Sequence, residues 1–301
     1  MGTQKIKMPG WKNIFAALRK DGISIAENSS PHPVGGGDIS AAWRINTKSA
    51  AVFIKTEPVE LLDMFEAEAE GLRELLGAKD IRVPEVLSCG ATENDAYLAI
   101  EWIEFEQPTS DTEQLFGQQL AVLHRHCKER FGWHRDNTIG KTPQHNQWSD
   151  NWVDFFKCRR LDFQLKLASE NGFNGELQLA GAYLSKNLAL LFCDYQPSIS
   201  LLHGDLWGGN WAAAKGQPVI FDPAVYYGDR ESDIAMTKLF GSFGPKFYAS
   251  YQDSWPMQTG YEDRLKLYQL YHVLNHLNLF GSAYLDRGIQ LIREINLSIS
   301  H

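Results

Sequence analysis

The sequence has few cysteines, no long apolar run and no excess of basic residues, and each shortage excludes a class of protein. The four cysteines among 301 residues lie at least 31 positions apart, which disfavours zinc sites and disulfide frameworks, so we expect reduced thiols in a cytoplasmic protein. There is no apolar leader and no apolar run of about 18 residues, so we expect no membrane association. The net charge of −8 opposes binding to nucleic acid.

The remaining composition is typical of a globular protein, and its patterns divide the chain into two lobes. Apolar residues make up 44% of the chain, enough for a sizeable core. The first part alternates between helical and strand-like patterns. We predict helices at 11–20 and 58–77 and strands at 23–34, 39–46, 50–56, 83–88 and 96–103. The following segment resembles a linker, so the boundary is placed between lobes of residues 1–103 and 104–301.

The second part is mainly helical. Apolar residues recur at helical spacing over 116–127, 152–168, 177–193, 232–240 and 261–280. The exception is a short hairpin with strands at 210–214 and 219–222. The sequence therefore predicts an α+β protein with an antiparallel sheet and one long helix in the N-lobe and a helical C-lobe.

The strongest chemical signal is the segment Leu201–Asn210 together with Ile220–Pro223. Asp205, Asn210 and Asp222 supply three oxygen-bearing side chains that the hairpin would bring together. Phosphoryl transfer from ATP needs a carboxylate to accept the proton of the attacking hydroxyl, and oxygen ligands for Mg²⁺. We assign Asp205 as the base and the other two as metal ligands. The alternative is that all three are turn or capping residues, but their combination favours catalysis.

The N-lobe supplies groups that could bind the phosphates of ATP. Gly35, Gly36 and Gly37 lie between two strands, where their backbone N–H groups could approach phosphate oxygens. Lys55 ends an apolar strand and could reach the α- and β-phosphates. Of the nearby acids, Glu68 falls within the apolar stripe of the following helix, three residues after Phe65, and a carboxylate on a buried face needs a cation. We therefore predict a Lys55–Glu68 ion pair.

The end of the last N-lobe strand is a candidate site for adenine. Glu101, Trp102 and Ile103 lie where an apolar strand enters the linker, and their backbone groups could bind the base. A buried strand without a ligand is the alternative for this segment.

Taken together, these motifs resemble the fructosamine kinase (ketosamine 3-kinase) family, within the group of aminoglycoside-kinase-like folds. Residues 35–40, 64–72, 203–210, 221–224, 228–236, 268–271 and 275–277 all resemble family motifs. The narrowest signatures are residues 137–148 and Trp207. The resemblance covers nearly the whole chain and implies a two-lobed protein-kinase-like fold with ATP between the lobes.

The same resemblance implies transfer of the ATP γ-phosphate to the O3 hydroxyl of a ketosamine, either free or on a protein lysine. The phosphorylated adduct would then release the amine, which amounts to deglycation. Fructosamine, ribulosamine and erythrulosamine remain open as the preferred sugar.

A ketosamine nitrogen is cationic, so the acceptor site should offer carboxylates and aromatic rings. Asp205, Asp229 and Glu231 are the candidate carboxylates, and Trp207 could stack on the sugar. Asp229 and Glu231 could equally be acids at a helix N-terminus. Asp233 is expected to brace the catalytic loop.

Two alternatives are weighed against this function. A kinase of another small hydroxylated amine, of the aminoglycoside or choline type, would share the catalytic residues. A nucleotide-binding module without turnover would have no need of all of Lys55, Asp205, Asn210 and Asp222. His272 and His276 lie four residues apart but lack a third ligand, so we expect no metal there. A monomer is favoured.

Overall fold

The N-terminal part of the chain forms one antiparallel sheet between two helices. The computed structural model describes residues 8–25, 29–35, 40–48, 50–241 and 243–300, so Gly36 and Gly37 lie outside the described residues. Five strands pair in the order β1-β2-β3-β5-β4, and every pairing is antiparallel. The elements are α1 (Trp11–Lys20), β1 (His32–Val34), β2 (Ala41–Asn46), β3 (Ala51–Pro58), α2 (Leu62–Ala78), β4 (Val86–Ala91) and β5 (Asp95–Glu101).

The two faces of this sheet bury different sets of side chains. Val52 and Ile54 of β3 pack with α1 on one face. Phe53 of β3 packs against the core that contains Phe65 of α2 on the other. Because side chains alternate along a strand, Lys55 lies on the same face as Phe53. The sheet therefore directs the lysine toward α2.

The rest of the described chain is mainly helical, with three short strand pairs, β6-β7, β8-β11 and β9-β10. Together with the N-terminal sheet, this confirms the α+β architecture. The elements are α3 (Ser110–Leu123), β6 (Asn137–Ile139), β7 (Thr142–Gln144), α4 (Trp152–Phe156), α5 (Asp162–Glu170), α6 (Glu176–Asn187), β8 (Ser200–Leu202), β9 (Trp211–Ala214), β10 (Gln217–Ile220), β11 (Tyr226–Gly228), α7 (Glu231–Thr237), α8 (Pro245–Ser254), α9 (Tyr261–Phe280) and α10 (Leu285–Ser298).

Several element boundaries differ from those predicted. The strand expected over 23–34 is reduced to the three residues of β1. The helix expected from Pro58 begins at Leu62 instead, because Val59–Leu61 form a 3₁₀ turn. One turn of π-helix at Lys157–Leu161 divides the long helix expected over 152–168. The β6-β7 hairpin, α8 and α10 were not predicted.

One large hydrophobic core joins the N-terminal and C-terminal parts. It contains Phe65 and Leu72 of α2 together with Phe116 and Leu120 of α3. The proposed lobe boundary after residue 103 falls between β5 and α3 and stays a prediction. Among the described residues, none of the helices combines the length and apolarity needed to cross a membrane.

Candidate active site

The loop between β8 and β9 and the loop between β10 and β11 bring the three candidate catalytic residues together. Asn210 Nδ2 donates to the carbonyl oxygen of Asp205 at 2.9 Å and lies 3.3 Å from its carboxylate Oδ2. The N–H of Phe221, next to Asp222, donates to the carbonyl oxygen of Asn210 at 3.1 Å. The predicted hairpin therefore positions Asp205, Asn210 and Asp222 as neighbours.

The ring of His203 links these two loops through hydrogen bonds. Its Nε2 donates to the carbonyl oxygen of Phe221 at 2.9 Å, and its Nδ1 accepts from the backbone N–H of Asp205 at 3.3 Å. Burial lowers the pKa of His203, which keeps the imidazole neutral. Gly204 follows at φ +84°, where a Cβ would lie 2.0 Å from the carbonyl oxygen of Ala224. Only glycine fits such a position, so this histidine and glycine are scaffold residues for Asp205.

Lys55 lies between two carboxylates. Its Nζ is 2.7 Å from Glu68 Oε1 and 2.7 Å from Asp222 Oδ1. Burial alone would lower the pKa of Lys55, but the charges of Asp222 and Glu68 outweigh it and hold the pKa well above its ordinary value. The predicted Lys55–Glu68 pair is confirmed, whereas the contact to Asp222 was not foreseen.

The surroundings of Asp222 suit a metal ligand. Its backbone has φ +56°, a left-handed conformation that costs free energy in a residue with a side chain and is often retained at functional sites. The side chain is 40% exposed. No described residue hydrogen-bonds to Asp222 Oδ2 or to Asn210 Oδ1. Two oxygen donors of the kind that Mg²⁺ prefers are therefore uncommitted.

The carboxyl group of Asp205 is tuned toward proton acceptance near neutral pH. Burial, with the negative charges of Asp222 and Asp233, raises the pKa of Asp205 to about 7. A carboxylate with this pKa is a stronger base than an ordinary aspartate, and general bases work best near the operating pH.

A single cavity of about 1110 Å³ connects these residues. Its lining includes Lys55, Glu68, Asp205, Asn210 and Asp222. Among the described residues of the glycine loop, Gly35 also lines it, as does Trp207. A Cβ at Gly209 would lie 2.3 Å from the Trp207 ring, so this glycine leaves room for the indole.

The segment predicted to bind adenine also lines the cavity. Glu101, Trp102 and Ile103 are all part of the lining. The backbone N–H of Glu101 donates to the carbonyl oxygen of Glu85 at 2.8 Å. No described backbone group bonds to the N–H of Ile103, so this donor is available to a ligand.

Asp233 braces the catalytic loop, as expected. Its carboxylate accepts from the backbone N–H groups of His203 at 2.8 Å and Gly204 at 2.9 Å, and His124 Nε2 lies 3.2 Å from it. Burial would raise the pKa of Asp233, but the hydrogen bond and charge of His124, together with the Gly204 amide, lower it below its ordinary value of 3.8. The buried carboxylate is therefore ionised at neutral pH.

We expect Asp233→Ala to lower the free energy of unfolding by about 3 kcal/mol, because buried N–H groups lose their acceptor. Urea unfolding, with the exposed Asp253→Ala as control, measures this. Since the folded-state pKa lies below 3.8, the contribution should be complete at neutral pH and shrink as the pH falls below that value. A loss equal to that of the control would contradict the bracing role.

The structure places Asp229 and Glu231, which the sequence left open between substrate contacts and acids at a helix N-terminus, away from the cavity. Both are fully buried, and neither lines the cavity. Asp229 accepts from the hydroxyls of Tyr195 at 2.9 Å and Tyr268 at 2.6 Å. Glu231 forms a two-point ion pair with Arg264 at 2.8 and 2.9 Å. These contacts occupy the carboxylates, so we assign both residues to the structure of the C-terminal part.

We therefore expect Asp229→Asn to reduce the free energy of unfolding by about 2 kcal/mol while leaving the acceptor KM within about two-fold of the parent value. Thermal or urea unfolding and steady-state kinetics measure the two effects. A stable variant with a strongly raised acceptor KM would restore the substrate-binding interpretation.

Sequence reasoning missed two groups of residues around the site. Arg135 Nη1 bonds to Glu70 Oε1 at 2.6 Å, and His134 Nε2 lies 2.6 Å from Glu70 Oε2. These contacts attach α2, the helix that carries Glu68, to the segment that contains His134 and Arg135. The second group is aromatic and lines the cavity: Phe240, His276, Phe280 and Tyr284. The Asn275–Leu277 motif was its only sequence signal.

Relatives of known name place the chain among sugar-amine kinases. A protein of Synechocystis sp. named as a probable ketoamine kinase is 42% identical over 263 residues, covering 87% of this chain and 88% of that protein. The chloroplastic protein-ribulosamine 3-kinase of Arabidopsis thaliana is 42% identical, covering 86% of this chain and 80% of its own length.

Solved structures agree in fold. A crystal structure from Haemophilus somnus, named as a fructosamine-3-kinase, has 28% identity and a TM-score of 0.86, covering 95% of this chain and 97% of that chain. An aminoglycoside phosphotransferase with ADP bound has 13% identity and a TM-score of 0.62, covering 95% of this chain and 98% of that chain, which shows a protein-kinase-like fold. The fructosamine kinase family model matches residues 10–298, and the chain therefore belongs to this family.

Proposed function

We propose that the protein is an ATP-dependent kinase that phosphorylates the O3 hydroxyl of ketosamines. The observation that carries this proposal is the meeting, in one cavity, of the Lys55–Glu68–Asp222 ion cluster and the Asp205–Asn210 pair. Protein kinases use this combination for phosphoryl transfer: a lysine–glutamate ion pair, an aspartate base, and Asn and Asp metal ligands. The names of the relatives support a ketosamine acceptor.

The N-terminal sheet and the hinge-like segment after β5 bind the nucleotide. The ammonium group of Lys55, held by Glu68, is directed at phosphate oxygens. The backbone N–H of Ile103 bonds to adenine, beside Glu101 and Trp102. Gly35, which lines the cavity, lies along the phosphates. Catalysis on this side consists of positioning and charge neutralisation.

The acceptor hydroxyl is activated by Asp205. This carboxylate takes the proton as the O3 oxygen forms its bond to the γ-phosphorus and the bond to the departing ADP oxygen breaks. Trp207 packs on the sugar at the cavity wall.

The oxygens of Asn210 and Asp222 are the ligands that this chain offers to Mg²⁺. Among the described residues, no group of three or more His, Cys, Asp or Glu side chains could hold a metal alone. A site with few protein ligands is typical of Mg²⁺, which completes its coordination with water and nucleotide phosphates. When bound, the ion neutralises the charge that develops on those phosphates.

Ribulosamine is the first sugar to test, because relatives from Arabidopsis thaliana and Oryza sativa are named protein-ribulosamine 3-kinases. Phosphorylation at O3 places a good leaving group next to the keto carbon. Loss of a proton from C1 and of inorganic phosphate from C3, followed by hydrolysis of the C1–N bond by water, would release the amine and so remove the sugar. Erythrulosamine and fructosamine are the other candidates.

The function is tested by Mg²⁺-dependent ADP release on ribuloselysine, erythruloselysine, fructoselysine, choline and kanamycin, with Asp205→Ala as the blank. We expect turnover confined to the ketosamines. Turnover confined to choline or kanamycin would keep the catalytic residues and overturn the acceptor. No ADP release with any acceptor would overturn the assignment as a kinase.

A further inference from the structure

Four aromatic rings that take no part in the proposed phosphoryl transfer pack together at one wall of the cavity. His276 of α9 is central, with its ring centroid 4.5 Å from Phe240, 5.1 Å from Tyr284 and 5.3 Å from Phe280. All four line the same cavity as Asp205. We name Phe240, His276, Phe280 and Tyr284 the aromatic cluster.

The aromatic cluster adjoins the catalytic loop and reaches solvent. A Cβ placed on Gly208, three residues after Asp205, would lie 4.0 Å from the carbonyl oxygen of Phe240. At the other end of the cluster, Phe280 is 51% exposed. Because Phe280 both lines the cavity and reaches solvent, the cavity opens to the outside along this cluster. A ligand with one end at Asp205 could therefore extend along these rings to the outside.

His276 presents a hydrogen-bond acceptor to this space. Its Nδ1 lies 2.9 Å from the carbonyl oxygen of His272, and because a carbonyl only accepts, the proton is on Nδ1. Burial lowers the pKa of His276, so the ring is neutral and Nε2 carries a lone pair. No described residue bonds to this Nε2. An ammonium or hydroxyl donor of a ligand would satisfy it.

The chemistry of the cluster suits an alkylammonium group. None of its four members is a carboxylate; the carboxylates that line the cavity are Glu68, Glu101, Glu104, Asp205 and Asp222. Ring faces attract a cation without a full counter-charge, and they also contact methylene groups. A chain of methylenes that starts at a protonated nitrogen offers both features.

We propose that the aromatic cluster is the subsite for the nitrogen substituent of the acceptor, such as the side chain of a glycated lysine. This inference rests on the proposed function, in which Asp205 holds the sugar hydroxyl. The substituent then runs from the sugar along Phe240 and His276 and leaves the protein over the exposed side chain of Phe280. Because this end is open, an acceptor attached to a polypeptide fits as well as a free one.

The test compares two acceptors with the same sugar: 1-amino-1-deoxyribulose, and the ribulosamine formed on the ε-amine of N-α-acetyl-lysine. Calorimetry without nucleotide gives Kd for each, and ADP release gives KM. The parent is compared with Phe280→Ala and Tyr284→Ala. Tyr183→Ala is the matched control, because Tyr183 is an aromatic residue on α6, 48% exposed and outside the cavity lining.

We expect the parent and the control to bind the lysine derivative about 10-fold more tightly than the unsubstituted amine, a difference in the range of cation–π and ring contacts. Each cluster variant should remove most of this preference and leave the KM for ATP unchanged. Equal affinities in the parent, or a preference that survives in both cluster variants, would overturn the subsite.

Measuring both binding and turnover distinguishes a failure of the proposed kinase function from a failure of the proposed subsite. Ketosamine binding with the expected preference but without phosphorylation would overturn the kinase function and support the subsite. Phosphorylation of both acceptors without the preference would overturn the subsite alone. If neither acceptor binds or reacts, both proposals fail.

Discussion

Asp205→Asn is expected to reduce turnover by about 1000-fold, the contribution typical of a general base. The change keeps the size of the side chain and the backbone contacts of the loop, but an amide cannot accept the hydroxyl proton. Among the described residues, Asp205 forms no hydrogen bond or ion pair with Lys55, whose partners are Glu68 and Asp222, so the Kd for ATP should stay within about two-fold of the parent value. Coupled ADP release and calorimetry measure the two quantities.

The exposed Asp253→Asn is the control for this experiment, and thermal unfolding verifies that both variants are folded. Substantial turnover in Asp205→Asn would remove this residue from the role of base. A loss of ATP affinity as large as the loss of turnover would indicate a nucleotide-binding role instead.

Glu68→Ala is expected to lower kcat/KM for ATP by about 100-fold, because Lys55 loses one of the two charges that orient it. Asp222 would then be the only carboxylate paired with Lys55 among the described residues. Lys55 would then compete with Mg²⁺ for the carboxylate of Asp222. The effect therefore appears in both nucleotide affinity and turnover.

Two neighbours on α2 serve as comparisons for Glu68. Glu66 is 49% exposed and 4.0 Å from Arg135, so Glu66→Ala should have little effect. Glu70 contacts Arg135 and His134 at 2.6 Å, and Glu70→Ala should fall between the two because it loosens the helix. Equal losses in all three variants would contradict a specific role for Glu68.

The Lys55–Glu68 pair was predictable because regular elements fix the direction of their side chains. Alternation along β3 and the apolar stripe of α2 each place one member on the face that the two elements share. The same reasoning left Asp229 and Glu231 open. Their position near a helix start was compatible with both a substrate contact and a structural contact, and the contacts with Tyr195, Tyr268 and Arg264 favour the structural one.

Irregular segments were predicted less well than regular ones. The β6-β7 hairpin was recognised only as a narrow family signature, because strands of three residues are too short to show a period. Its fold depends on a distant contact, since Asn137 donates to the carbonyl oxygen of Val225. Such a contact leaves no local pattern.

The α+β composition, the ion pair of Lys55 and Glu68, and the positions of Asp205, Asn210 and Asp222 around one hairpin could all be read from the amino-acid order. The composition and the ion pair follow from local periodicity, which gives the face of an element that a residue occupies, and the three polar residues follow from their spacing around the hairpin. The tertiary structure decided the contact between Lys55 and Asp222, 167 positions apart, the burial of Asp229, and the aromatic cluster. These depend on which distant element covers each face, and local spacing carries no information about that choice.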